Sequence, residues 1–169
     1  MKSIKRLTAL VTLFVFMLST FAFTVNADSA FTDVTSDTQY ADAIQKLYTD
    51  GIVDGYVAED GTRTFKPLDT ITRGEFAKLL AVAKIKGAAA NLTATSSGFA
   101  DVDSDPTVSW TIPYIDYAVK ASIVNGYEDG TFRAKNTVSY AEAVKMIVCA
   151  MGYSTVIEKT EPWYDGYIK

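Results

Sequence analysis

Gly51-Ile52-Val53-Asp54-Gly55-Tyr56 returns as Ser122-Ile123-Val124-Asn125-Gly126-Tyr127, and this recurrence decides how the chain is read. Working outward, Phe31-Thr32-Asp33-Val34 answers Phe99-Ala100-Asp101-Val102, and Glu59-Asp60-Gly61-Thr62 answers Glu128-Asp129-Gly130-Thr131. Thr72-Arg73-Gly74-Glu75 answers Ser139-Tyr140-Ala141-Glu142. Matched blocks in one order mark a repeated module. Tandem units of this size bury their cores against each other and present a repeated binding surface rather than one catalytic pocket.

Each unit reads as helix, loop, helix. Tyr40, Ile44, Leu47 and Tyr48 fall at i, i+4, i+7 and i+8, which predicts an amphipathic helix ending at Gly51. Thr72 and Glu75 have the spacing of a capping box, after which Phe76, Leu79, Leu80 and Ala83 line one face until Gly87. The second unit repeats the plan with Ile112, Ile115 and Val119, then with Ala143, Met146, Ile147 and Ala150, closed by Gly152. The first loop carries Val57-Ala58 and Arg63-Thr64 as insertions, and Gly87 to Gly98, rich in Ala, Ser and Thr, reads as a flexible connection. Trp163, Tyr167 and Ile168 reproduce the spacing of Trp110, Tyr114 and Ile115, so a third unit is expected to begin and be truncated, as in a piece of a longer protein. The predicted class is mainly α: a signal peptide at 1–27, a first module at 28–88, a linker at 89–98, a second module at 99–153, and a linker with the start of a third at 154–169.

Lys2, Lys5 and Arg6 precede a charge-free run from Leu7 to Val25 that ends at Val25-Asn26-Ala27, the pattern of a cleaved secretory signal. Its removal takes three of the 16 basic side chains and none of the 20 acidic ones, leaving a net charge of about −7. Such a surface repels nucleic acid, and stable membrane insertion is not expected once the signal is cut. The chain contains no histidine, which excludes Ser/His/Asp and Cys/His nucleophilic machinery and the commonest zinc ligand. Cys149, the only cysteine, lies in an apolar helical run and reads as a buried inert thiol. Asp101-Val102-Asp103-Ser104-Asp105 opens like a calcium loop, but Pro106 and Ile112 stand where glycine and glutamate belong. No cofactor and no catalytic residues are expected.

With Phe-x-Asp-Val, Gly-Ile-x-x-Gly-Tyr, Asp-Gly-Thr and Thr-Arg-x-Glu in this order, the chain resembles the S-layer homology module of bacterial cell-surface proteins. The resemblance implies a mainly helical fold in which three modules form a pseudo-threefold body with ligand grooves between them. It also implies secretion to the cell wall or S-layer and non-covalent attachment to a secondary polymer of the Gram-positive wall, an anionic glycan commonly bearing pyruvate ketals. The family pattern has alanine where Gly74 stands.

Within that expectation Arg73 is the leading ligand residue, since a cation in the first helical turn opposes the macrodipole unless an anion joins it. Free amides at the helix start, with a guanidinium beside them, are suited to gripping a carboxylate. Thr72, Gly74 and Glu75 complete that site, with Trp110 at a groove edge, Tyr140 either stacking on sugar or packing as a partly exposed aromatic where the second unit lacks the arginine, and Arg133 partly replacing its charge. An exposed clamp of this kind is dispensable to folding, so Arg73→Ala is expected to weaken wall binding without altering the helical circular dichroism spectrum. The leading expectation is therefore a cell-wall anchoring segment, not an enzyme, with self-assembly through a longer parent protein. The alternative is the targeting portion of a secreted hydrolase whose catalytic domain lies elsewhere, and a third reading is assembly through protein contacts without recognition of sugar.

Overall fold

A computed structural model describes residues 29–86, 89–153 and 162–168. The signal segment, Gly87 and residues 154–161 lie outside the described residues. The elements in order are α1 (Ala41–Thr49), β1 (Tyr56–Val57), β2 (Arg63–Thr64), α2 (Arg73–Lys84), α3 (Ala100–Asp103), α4 (Ile112–Lys120), α5 (Tyr140–Ala150) and α6 (Asp165–Ile168), with 3-10 turns at Ala89–Asn91 and Ser109–Thr111. The described chain is mainly helical, as its repeated periodicity predicts.

Both long second helices begin in the same way. Thr72 Oγ1 accepts the Glu75 amide while Glu75 Oε2 accepts the Thr72 amide, and Ser139 and Glu142 repeat this reciprocal cap. The Phe-x-Asp-Val block has a different job. Phe31, Val34 and Val102 are buried, and Asp33 accepts the amides of Phe65 and Lys66 at 2.8 and 2.7 Å. Asp101 does the same for Phe132 and Arg133 at 3.0 and 2.8 Å. Each aspartate thereby holds a basic residue in the left-handed region, Lys66 at φ 59° and Arg133 at φ 60°, a backbone that costs a non-glycine residue energy unless its surroundings fix it. The inserted residues of the first loop form the two-residue hairpin, with Tyr56 opposite Thr64.

The main core spans the units. Ile115, Ile123, Phe132 and Met146 of the second unit pack with Ala77 and Leu80 of α2, whereas Phe31, Val34 and Ile44 form a smaller cluster under the first unit. The buried face of α2 is wider than expected: Leu80, as expected, and also Ala77 are buried in the core shared with the second unit, the expected Phe76 and Leu79 pack against it partly buried, and Ala81 is buried as well, while Ala83 is only partly covered. Tyr40 likewise precedes α1 in a left-handed conformation and is exposed, so the helix presents Ile44 rather than Tyr40 inward. Ile147, expected inward on α5, is 42% exposed. It repeats Leu80, which the second unit covers, and amphipathic periodicity cannot tell a face covered by the next repeat from one left open. Cys149 is buried and unpaired, and burial pushes its thiol pKa up.

The end of the connection is fixed rather than loose: Asp103 accepts the Ser97 amide and both the Ser96 and Ser97 hydroxyls, at 2.6–2.7 Å. Asp101, Asp103 and Asp105 are each engaged by protein donors, the last by Thr107 and by Lys135 at 2.6 Å. Among the described residues no cluster of potential metal ligands occurs, and no helix is long and apolar enough to cross a membrane.

Candidate functional site between the repeats

Two cavities stand at equivalent places in the repeats. The first, of about 330 Å³, is lined by Asp54, Tyr56, Lys66, Glu75, Lys78 and Trp110 among others. The second, of about 630 Å³, is lined by the corresponding Asn125, Tyr127, Arg133, Glu142, Lys145 and Trp163, and also by Arg73. Trp110 lines the first and Trp163 the second.

The walls are built by the same local chemistry. The capping glutamate uses one oxygen for the helix cap and the other for the loop tyrosine: Tyr56 Oη donates to Glu75 Oε1 at 3.0 Å, and Tyr127 Oη donates to Glu142 Oε1. The cation fixed by the Phe-x-Asp-Val aspartate then lies over that tyrosine, Lys66 at 4.5 Å from the Tyr56 centroid and Arg133 at 4.1 Å from that of Tyr127. The glycine before each tyrosine is required because the phenylalanine ring lies against it. A Cβ on Gly55 would stand 2.4 Å from Phe31 Cε1, and one on Gly126 2.3 Å from Phe99 Cε1.

Arg73 is where the structure corrects the sequence reading. It is 7% exposed and reaches out of the first unit into the second. Nη2 donates to the Asn125 carbonyl at 2.8 Å, Nη1 lies 3.3 Å from Glu142 Oε1, and the guanidinium carbon sits 4.9 Å from the ring centroids of both Tyr127 and Phe132. The charge that offsets its conflict with the helix dipole comes from Glu142 and the Asn125 carbonyl. The amides expected to be free are also engaged: Arg73 N donates to Asn136 O at 2.8 Å and Gly74 N to Ala134 O at 2.9 Å, beside a bridge between Thr72 and Thr137. An anion has no helix-start amide to bind there. Nε of Arg73, buried, finds no acceptor among the described residues. Burial would raise the Glu142 pKa, but donation from Tyr127 and Ser139 together with the charge of Arg73 holds it below the usual range.

The Thr-Arg-Gly-Glu stretch is thus divided. Arg73 and Arg133 come together in the second cavity, while Glu75 and Trp110, itself 47% exposed, belong to the first. Thr72 is a cap, and Gly74 is buried where a Cβ would meet Ala134 O and Thr111 Cγ2 at 3.1 Å; neither lines a cavity. Tyr140 is 75% exposed and also lines neither. The second cavity therefore has its own Arg133 and, from the first unit, Arg73. Sequence reasoning missed Asn125, Lys78 and Lys145 as lining residues. The signal that finds them is positional equivalence between the repeats, applied to whole loops rather than to one motif.

The S-layer homology domain model matches residues 30–77 and 98–144, more than half of the chain. The chain belongs to the S-layer homology domain family. The middle cell wall protein of Brevibacillus brevis is 34% identical over 75% of this chain, and the surface layer protein of Brevibacillus choshinensis 35% over 70%. An amylopullulanase of Thermoanaerobacterium thermosulfurigenes is 34% identical over 69%. The chain spans 11%, 10% and 6% of the lengths of these relatives. Its S-layer homology units are therefore shared between proteins named for the cell surface and a protein named for an enzyme.

Proposed function

We propose that this chain is a non-catalytic anchoring segment at the cell surface, holding its parent protein to the wall through an anionic secondary polymer, with pyruvylated sugar as the best-fitting substituent. The second cavity carries the reading. It gathers Arg73, Arg133 and Lys145 around Tyr127 and Trp163; Glu142 and Asp129 pair with the two arginines, so Lys145 offers the charge for a carboxylate and the rings an aromatic surface for a sugar. The unsatisfied Nε of Arg73 gives an incoming oxygen a donor to meet, provided the cavity wall yields slightly. Contacts of this kind are individually weak, about 1.5–3 kcal/mol for a charge-assisted hydrogen bond. Two tethered cavities in one chain raise retention through effective concentration.

Cosedimentation of the chain with purified walls, native or stripped of their secondary polymer, tests this. Pelleting with native walls only is expected; equal pelleting with stripped walls would instead support assembly through protein contacts. The likeness to an amylopullulanase favours a second reading of the parent protein, in which the same units target a secreted hydrolase. Reading the parent gene for a glycoside hydrolase domain decides between the two, and the anchoring role is common to both.

A further inference from the structure

The two cavities are equivalent in position but not in charge. Asp54 and Asn125 occupy the same place in the repeat, and both backbone carbonyls are held by a guanidinium, Asp54 O by Arg63 Nη1 and Asn125 O by Arg73 Nη2. Their side chains therefore leave the loop from comparable anchor points, toward a lysine one turn beyond the capping glutamate. In the first cavity Asp54 Oδ2 pairs with Lys78 Nζ at 3.0 Å. In the second, neutral Asn125 makes no such pair, and Lys145 Nζ lies 5.0 Å from the Trp163 centroid and 5.7 Å from that of Tyr167, with no carboxylate paired to it among the described residues.

The surrounding charges reinforce this difference. The first cavity is lined by Asp54, Asp69 and Glu75 against Lys66 and Lys78, an excess of one negative charge. The second sets Arg73, Arg133 and Lys145 against Glu128, Asp129 and Glu142, and is balanced. Among the described residues, Lys66 is the cation of the first cavity without a carboxylate partner and lies over Tyr56, whereas its counterpart in the second, Lys145, lies beside the tryptophan. An anionic sugar that approaches the tryptophan meets an available ammonium only in the second cavity.

From this, resting on the anchoring reading above, we infer that the second cavity is the acidic-sugar site, that the first prefers uncharged sugar, and that the residue setting the difference is Asn125 against Asp54. The ligand class at the second cavity is a hexose bearing a carboxylate. Asn125 acts by leaving Lys145 free.

The chain contains two tryptophans, Trp110 at one cavity and Trp163 at the other, so each indole N–H resonance reports one site. The test titrates the full chain, isotopically labelled, with methyl 4,6-O-(1-carboxyethylidene)mannopyranoside and with its methyl ester. The acid is expected to move the Trp163 signal at a concentration about tenfold below that moving Trp110, and the ester to lose this preference. In N125D, before any ligand is added, the Trp163 resonance should already shift as Lys145 leaves its ring for the new carboxylate. The acid should then bind there about tenfold more weakly. D54N should strengthen binding at Trp110, and it guards against N125D merely failing to fold; both side chains stand at exposed positions. If the acid moves both indoles in parallel, or N125D leaves the Trp163 titration unchanged, the inference is overturned while the anchoring reading stands. If the acid moves neither indole, both are overturned.

Discussion

Removing the charge at Arg73 should loosen the joint between the two units, and the structure sets the size of the effect. The guanidinium donates one charge-assisted bond to a carbonyl, worth about 1.5–3 kcal/mol. It also stacks against two rings at 4.9 Å, each contact contributing about 0.5–1 kcal/mol, more where water is excluded. Breaking a buried ion pair costs about 3–5 kcal/mol when the surviving partner is stranded. Glu142 would not be stranded, because Tyr127 and Ser139 still donate to it. A loss of about 3 kcal/mol is therefore expected for Arg73→Met, which keeps the apolar stem, and somewhat more for Arg73→Ala. Urea unfolding followed by tryptophan fluorescence measures it, and combining Arg73→Met with Glu142→Gln in a double-mutant cycle isolates the pair. Coupling of about 1–2 kcal/mol is expected. A cost below about 1 kcal/mol for Arg73→Met, or additivity within about 0.5 kcal/mol, would show that Arg73 is not the joint described here.

Three further outcomes follow from the same geometry. Glu142 has a folded pKa below its ordinary 4.5, so its stabilisation is complete above that pH and fades as pH falls through the depressed value. Glu142→Gln should flatten the acid limb of the stability curve, and an unchanged limb in urea titrations across pH 2–6 would refute this. Gly126→Ala forces a Cβ to within 2.3 Å of Phe99 Cε1 and 3.0 Å of Thr131 O, an overpacking cost of about 1–3 kcal/mol that should appear as a lower midpoint in thermal melts. Asp101→Asn weakens the hold on the Phe132 and Arg133 amides, so hydrogen exchange at both should accelerate; retained protection would contradict the role given to the aspartate.

Local grammar was legible in the sequence, and contacts between units were not. Thr72 with Glu75 and Ser139 with Glu142 announce their caps because the reciprocal bonds lie within one helical turn. The purpose of Arg73 is invisible at that range. Its partners, Asn125, Glu142 and the Tyr127 ring, lie in the other unit, and only the docking of α2 on α4 and its loop brings them together. The same docking consumes the amides of Arg73 and Gly74, which turns an expected anion site into a seam between units. Tyr140 shows the converse: equivalence to Arg73 suggests a shared role, yet the position is exposed because no described residue covers that face of α5. Repeat symmetry read across whole loops pairs the two cavities, including the Asp54 and Asn125 difference.

The central claim is that an acidic substituent on the wall polymer is what this chain grips. It is tested most directly by comparing pelleting of the chain with native walls and with the same walls after mild-acid hydrolysis of their ketals, the polymer itself left in place. The account predicts that hydrolysis abolishes pelleting in parallel with loss of the carboxylate; pelleting as strong as on untreated walls would contradict it.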